Sequence, residues 1–124
     1  MTSILSSLKV ETLPKSGQWR LTESLFWYHP VTGRNVVPKG FPTDLASIPR
    51  FFRRVFNVNG RHREEAVVHD YLYSKKGELG ELKLTRKQCD QIFHDLMKAD
   101  GIAAWKRKSM YQAVRYFGGS HWDD

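Results

Sequence analysis

Residues 64 to 73, EEAVVHDYLY, set an imidazole and a carboxylate side by side, His69 and Asp70, inside an apolar run. Burying such groups is costly unless each finds a partner. An acid and a base at the margin of an apolar face are partly desolvated, the condition under which pKa values are tuned for proton transfer. On a helix the two side chains point about 100° apart, so they share a cleft without touching. Asp90 stands beside the apolar stripe of the next helix. Two antiparallel helices joined by a short loop would bring it to the His69 turn. Asp90 then accepts the proton on one imidazole nitrogen and leaves the other as a base, with Tyr73 bracing the pair. Asp70 faces outward, to water or a metal ion. The bland alternative is a buried hydrogen-bond network that clamps two helices and does no chemistry.

A second segment bears on the same cleft. In Thr43-Asp-Leu-Ala-Ser-Ile-Pro49, Thr43 or Asp44 can cap the turn that follows, and Pro49 limits it. Asp44 is also a candidate second metal carboxylate beside Asp70 and His69. Such oxygen and nitrogen donors suit a hard or borderline divalent ion, calcium or zinc. Ser47 is a third candidate, as a nucleophile served by His69 and Asp90, but no Gly-x-Ser-x-Gly elbow surrounds it. His94, four residues after Asp90, could share the site. His29, His62 and His121 fall in turns or tails, and Trp122-Asp-Asp124 reads as a frayed end.

The elements that must position these groups divide near residue 43. Before it, SILSSLKVETL, QWRLTESLFWYH and Asn35-Val-Val-Pro38 are extended segments separated by turn formers, at Pro14-Lys-Ser-Gly17 and His29-Pro-Val-Thr-Gly33. Trp19, Leu21, Leu25 and Trp27 share one parity, the mark of a half-buried strand, with Glu23 interrupting. After Pro49 the period is helical: a short segment over 50 to 56, a clear helix over 63 to 74, then an exposed loop at Lys75 to Gly80. Thr85-Arg-Lys-Gln88 is a capping box. Behind it Cys89, Ile92, Phe93, Leu96 and Met97 form one stripe, and Gly101 is placed to stop the helix. A last helix over 103 to 117 puts Met110, Ala113, Val114 and Phe117 on one face and ends at Gly118-Gly119. The expected class is α+β in one domain over 1–124: 1–42 mainly strands, in one small antiparallel sheet, and 43–124 mainly helical, in three to four packed helices.

Composition removes several classes. The 124 residues, 40% of them hydrophobic, suffice for one core. A lone cysteine, Cys89, excludes a disulfide framework or a cysteine-based zinc cluster. No window is apolar for long enough to cross a bilayer, and MTSILSSLKVE lacks the pattern of a signal peptide. The net charge of +7 is dispersed in short clusters, among them Arg61-His-Arg63 and Lys106-Arg107-Lys108. No motif of a nucleic-acid module accompanies it, so no specific nucleic acid is expected. A basic surface equally suits an anionic membrane, a cell-wall polymer or an acidic protein.

The stretches GFPTDLASIPR, AVVHDYLYS, CDQIF and MYQAVRYFG, in that order and spacing, resemble a family of phage and prophage proteins catalogued as domain of unknown function 1353. The resemblance implies a phage origin and no established activity. His-Asp-x-x-Tyr followed by Asp-x-x-Phe is also similar to the helix pair of secreted calcium-dependent phospholipases. That likeness implies a general base at His69, a calcium ligand at Asp70, an orienting carboxylate at Asp90 and a brace at Tyr73. The glycine-rich calcium loop of those enzymes has no counterpart here, where Thr43 to Pro49 stands instead.

These readings together yield a small bacteriophage protein of the virion or tail, made in the host cytoplasm. Its His/Asp cleft would hydrolyse an ester or amide of the host envelope, lipid or polymer. The alternative is a non-catalytic tail or assembly protein that binds other virion proteins.

Overall fold

The computed structural model describes residues 2–12, 18–43 and 63–123. The first half is built from β1 (Ser3–Ile4), β2 (Val10–Thr12), β3 (Trp19–Leu21), β4 (Leu25–His29), β5 (Gly33–Val37) and β6 (Pro42–Thr43). The second half holds α1 (Arg63–Ser74), β7 (Glu78–Leu79), β8 (Leu82–Lys83), α2 (Arg86–Ala99), α3 (Ala104–Phe117) and α4 (Gly119–Asp123). The class is α+β, as expected.

The strands form two three-stranded antiparallel sheets, ordered β1-β4-β5 and β2-β3-β6, where one small sheet was expected. Glu23 marks the reason. The chain bends over residues 22–24, so β3 and β4 pair in different sheets although their apolar residues share one parity. Within β4 the alternation is clean: Leu25, Trp27 and His29 point inward, while Phe26 and Tyr28 do not. Leu21, Leu25, Trp27 and Val37 bring both sheets onto the helical core.

The helices obey their stripes. Cys89, Ile92, Phe93, Leu96 and Met97 are all buried, and the Thr85 side chain and Gln88 complete the capping box in both directions. Gly101 takes a left-handed φ of 82° just past the helix, a conformation that favours glycine. Contacts from His69 and Tyr73 to Asp90, and from Arg86 and His94 to the far and middle parts of α3, show that consecutive helices run antiparallel.

Three details depart from expectation. Lys75 to Gly80 is exposed at most positions, as expected, but it leads into the β7-β8 hairpin instead of remaining a loop. Gly77 is buried there with φ 77°, and a Cβ would collide with the Leu84 carbonyl oxygen. Gly77→Ala is therefore expected to cost roughly 2 kcal/mol or more, read as a fall in the urea midpoint. Phe117 is 54% exposed instead of closing the α3 stripe. The chain also does not fray after Gly119: α4 turns back and sets Trp122 edge-on to Tyr73, 5.3 Å between ring centres. The expected helix over 50 to 56 lies outside the described residues.

Candidate functional site

Asp90 is the centre. It occupies the first turn and a half of α2, beside Cys89, and its side chain is fully enclosed. Its Oδ1 accepts hydrogen bonds from His69 Nε2 at 2.7 Å and from the Tyr73 hydroxyl at 2.5 Å. Its Oδ2 accepts from Arg115 Nη1 at 2.9 Å. His69 and Tyr73 reach one carboxylate together because they are four residues apart, one turn of the same helix face. The structure thus brings His69, Tyr73 and Asp90 together as their spacing suggested.

The electrostatics follow from those bonds. Burial alone would raise the Asp90 carboxyl. Hydrogen bonds from His69, Tyr73 and Arg115 outweigh burial and hold it below the usual carboxylate range. Burial and the adjacent Asp90 push the Tyr73 hydroxyl upward, so it stays protonated and donates. Burial and the same carboxylate push the Cys89 thiol up to about 12, which removes it as a nucleophile at neutral pH. With Asp90 ionised, the proton of this contact resides on His69 Nε2, which donates it to Oδ1. The ring is held between Tyr73 and Phe93, with centroid distances of 4.2 and 4.7 Å.

Two arginines complete the network, and neither was singled out from the sequence. Arg86 Nε donates to the Tyr73 oxygen at 3.2 Å, and its Nη2 donates to the carbonyls of Val114 and Arg115 at 2.9 and 2.6 Å. One guanidinium therefore both supports Tyr73 and ties down the carbonyl end of α3. Arg115 follows the buried Val114, and a cation bordering an apolar stripe was the available signal.

Asp70 has a partner of its own. It is half-buried, and the Thr43 hydroxyl of β6 donates to its Oδ2, linking α1 to the second sheet. Among the described residues no three His, Cys, Asp or Glu side chains are grouped so as to hold a metal ion. Asp44, proposed as the second carboxylate, and Ser47 lie outside the described residues. Of the two carboxylates suggested for an ion, the described residues thus include Asp70.

His94 does not join Asp90. It belongs to a second cluster, in which Asp95 accepts from His29 Nε2 at 2.8 Å, Gln91 at 2.8 Å and His94 Nδ1 at 3.2 Å. His29 Nδ1 accepts from the Val31 backbone at 3.0 Å, which fixes its proton on Nε2. His29 is thus no idle turn residue: it sits at an inward position of β4 and pins the first sheet to α2. Glu65 was also missed. It lies one turn before His69 on the buried stripe of α1, fully enclosed.

A family model described as "Protein of unknown function (DUF1353)" matches residues 19–114. The chain belongs to that family. The matched span includes His69, Asp70, Tyr73, Arg86 and Asp90, and it ends one residue before Arg115. The chain is similar to an uncharacterized protein, y4jT, of Sinorhizobium fredii, at 33% identity over 84 residues, or 66% of this chain. It spans only 23% of that relative's length. No solved structure matches the chain. Among the described residues no helix is long and apolar enough to cross a membrane.

Proposed function

We propose that this family member is a small phage-type virion or tail protein whose His69–Asp90 pair is the base of a hydrolytic site acting on the host envelope. The observation that supports this reading best is the three-donor clamp on Asp90. An anionic carboxylate held by Tyr73 and Arg115 fixes the His69 tautomer and offsets the imidazolium charge that forms when the ring takes a proton. His69, held by Asp90, would remove a proton from a water as the water oxygen attacks the carbonyl carbon of an ester or amide. The same proton then passes to the departing oxygen or nitrogen, restoring the starting tautomer. Asp70, tied to Thr43, stands on the adjacent face of α1 as a positioning carboxylate.

One observation favours a second reading, in which the cluster is only a strut between α1, α2 and α3. Both His69 and Asp90 have 0% exposure. The two readings part on His69→Gln, which preserves a hydrogen-bonding side chain but is no base near neutral pH. In the hydrolytic reading the wild type turns over phospholipid or peptidoglycan, and the folded variant loses about a hundredfold or more in rate. A wild type inert on both substrates, with or without added calcium or zinc, would establish the strut. Calcium or zinc at millimolar concentration should in addition raise Tm through binding to the folded state, and Asp70→Asn should abolish that rise. No shift with either ion removes the metal from the proposal.

A further inference from the structure

Helix α3 has one face that no element packs against among the described residues. Its inner residues Met110, Ala113 and Val114 are buried against the core. Trp105, Ser109, Gln112 and Tyr116, at intervals of four, three and four, fall within about 60° of one another on the side turned away from them. All four are exposed, Trp105 by 69% and Tyr116 by 82%. The two large aromatics stand roughly 16 Å apart along the helix. Phe117, itself 54% exposed, meets the Tyr116 ring at 4.7 Å and widens that end. Aromatic rings left in water at both ends of one stripe call for an explanation, because scattered single exposures would not line up this way.

The charge on the helix is one-sided. Residues 104–117 contain Lys106, Arg107, Lys108 and Arg115 and no Asp or Glu. Arg115 is engaged by Asp90, and Arg107 donates to the Ile102 carbonyl oxygen at 2.9 Å. Lys106 and Lys108 border the aromatic stripe, the Lys106 ammonium lying 5.4 Å from the centre of the Trp105 ring. A convex strip of Trp and Tyr flanked by lysines, without acids, matches a particular environment. Indole and phenol rings partition to the boundary between lipid headgroups and acyl chains, and ammonium groups on long stems reach anionic phosphates beside them.

We infer that this outer face of α3 docks flat on a bilayer surface rich in anionic phospholipid, with Trp105 and Tyr116 at headgroup depth and Lys106 and Lys108 on lipid phosphates. A protein partner fits less well, since the cores of protein interfaces are depleted in lysine. Single-stranded nucleic acid fits less well too, because its binders present a groove that tracks the backbone, whereas this face is a convex helix. The inference rests on α3 alone and does not require His69 to be catalytic.

Co-sedimentation with vesicles provides the test, comparing phosphatidylcholine containing phosphatidylglycerol with pure phosphatidylcholine. The full chain should bind the anionic vesicles and not the neutral ones, more weakly as salt rises. Trp105→Ala combined with Tyr116→Ala should weaken binding about tenfold or more with Tm unchanged, since both side chains face water. Lys106→Glu with Lys108→Glu should weaken it comparably and flatten the salt dependence. His69→Gln should bind like the wild type, which keeps this result separate from the fate of the hydrolytic site. The inference is overturned if anionic vesicles are not bound, or if both double variants bind as tightly as the wild type. It is equally overturned if the same substitutions abolish self-association or retention on single-stranded DNA while vesicle binding is absent.

Discussion

Asp90→Ala is expected to lower folding stability by about 3–5 kcal/mol, the range for removing one partner from a buried charged cluster. The carboxylate receives donors from α1 and α3 while sitting on α2, so its loss takes an acceptor from three groups at once. His69 and Tyr73 are enclosed and cannot turn to water, whereas Arg115 is about one-third exposed and can be partly rehydrated. The His69 and Tyr73 terms should therefore dominate. Asp90→Asn keeps an acceptor for Tyr73 but presents an amide N–H₂ toward another donor, and roughly 1–3 kcal/mol is expected there. Urea titration checks both, with m unchanged if the native state stays compact. A loss below about 1 kcal/mol for Asp90→Ala would mean that the cluster does not join the helices. Because the Asp90 carboxyl sits below its ordinary range when folded, its contribution is present at neutral pH and is lost as the pH falls through that lowered value.

Glu65 should produce the opposite pH dependence, and a large one. It is fully buried, and the polar group set against its carboxyl is the side chain of Asp100. Burial, and then the carboxyl of Asp100 beside it, push its pKa up to about 9 from an ordinary 4.5. Between those values the folded chain keeps a proton that the unfolded chain releases. The stabilising effect of that proton is fully present below the unfolded value and is lost as pH rises through the folded one. The expected slope is about 1.4 kcal/mol per pH unit, so up to about 4 kcal/mol disappears between pH 5 and pH 8. Glu65→Gln carries no ionisation, and its amide N–H can donate to Asp100. It should flatten the slope and leave the variant more stable than the wild type at pH 8, by about 2 kcal/mol or more. Tm measured across that range for both proteins decides the matter. A wild-type profile flat from pH 5 to pH 8 would show that Glu65 is ionised, or reached by water, in the fold.

Much of this architecture is local and was legible in the sequence. The Thr85–Gln88 box, the stripe from Cys89 to Met97 and the glycine stop at Gly101 are set within a few residues by capping geometry and helical period. The meeting of His69, Tyr73 and Asp90 was legible for the same reason. An i, i+4 pair on one helix and a carboxylate early in the next need only a tight antiparallel connection, and the β7-β8 hairpin provides one.

What stayed hidden depends on contacts between residues far apart in the chain. Arg115 reaches Asp90 across 25 positions and His29 reaches Asp95 across 66, and neither pairing leaves a periodic trace. The split into two sheets turns on a bend at residues 22–24, which preserves the parity of Leu21 and Leu25 and so conceals itself. A helix alone puts Asp70 at the edge of the stripe; only the packing of β6 against α1 brings Thr43 to it. Glu65 shares its stripe with His69, yet whether a carboxylate there snorkels to water or is sealed depends on what closes over it. The sequence by itself therefore determined the helices and the residues of the His69–Asp90 pair. Tertiary structure decided which cations neutralise that pair, which carboxyl keeps its proton and which aromatic stripe is left facing water, because each is a matter of desolvation by elements distant in sequence.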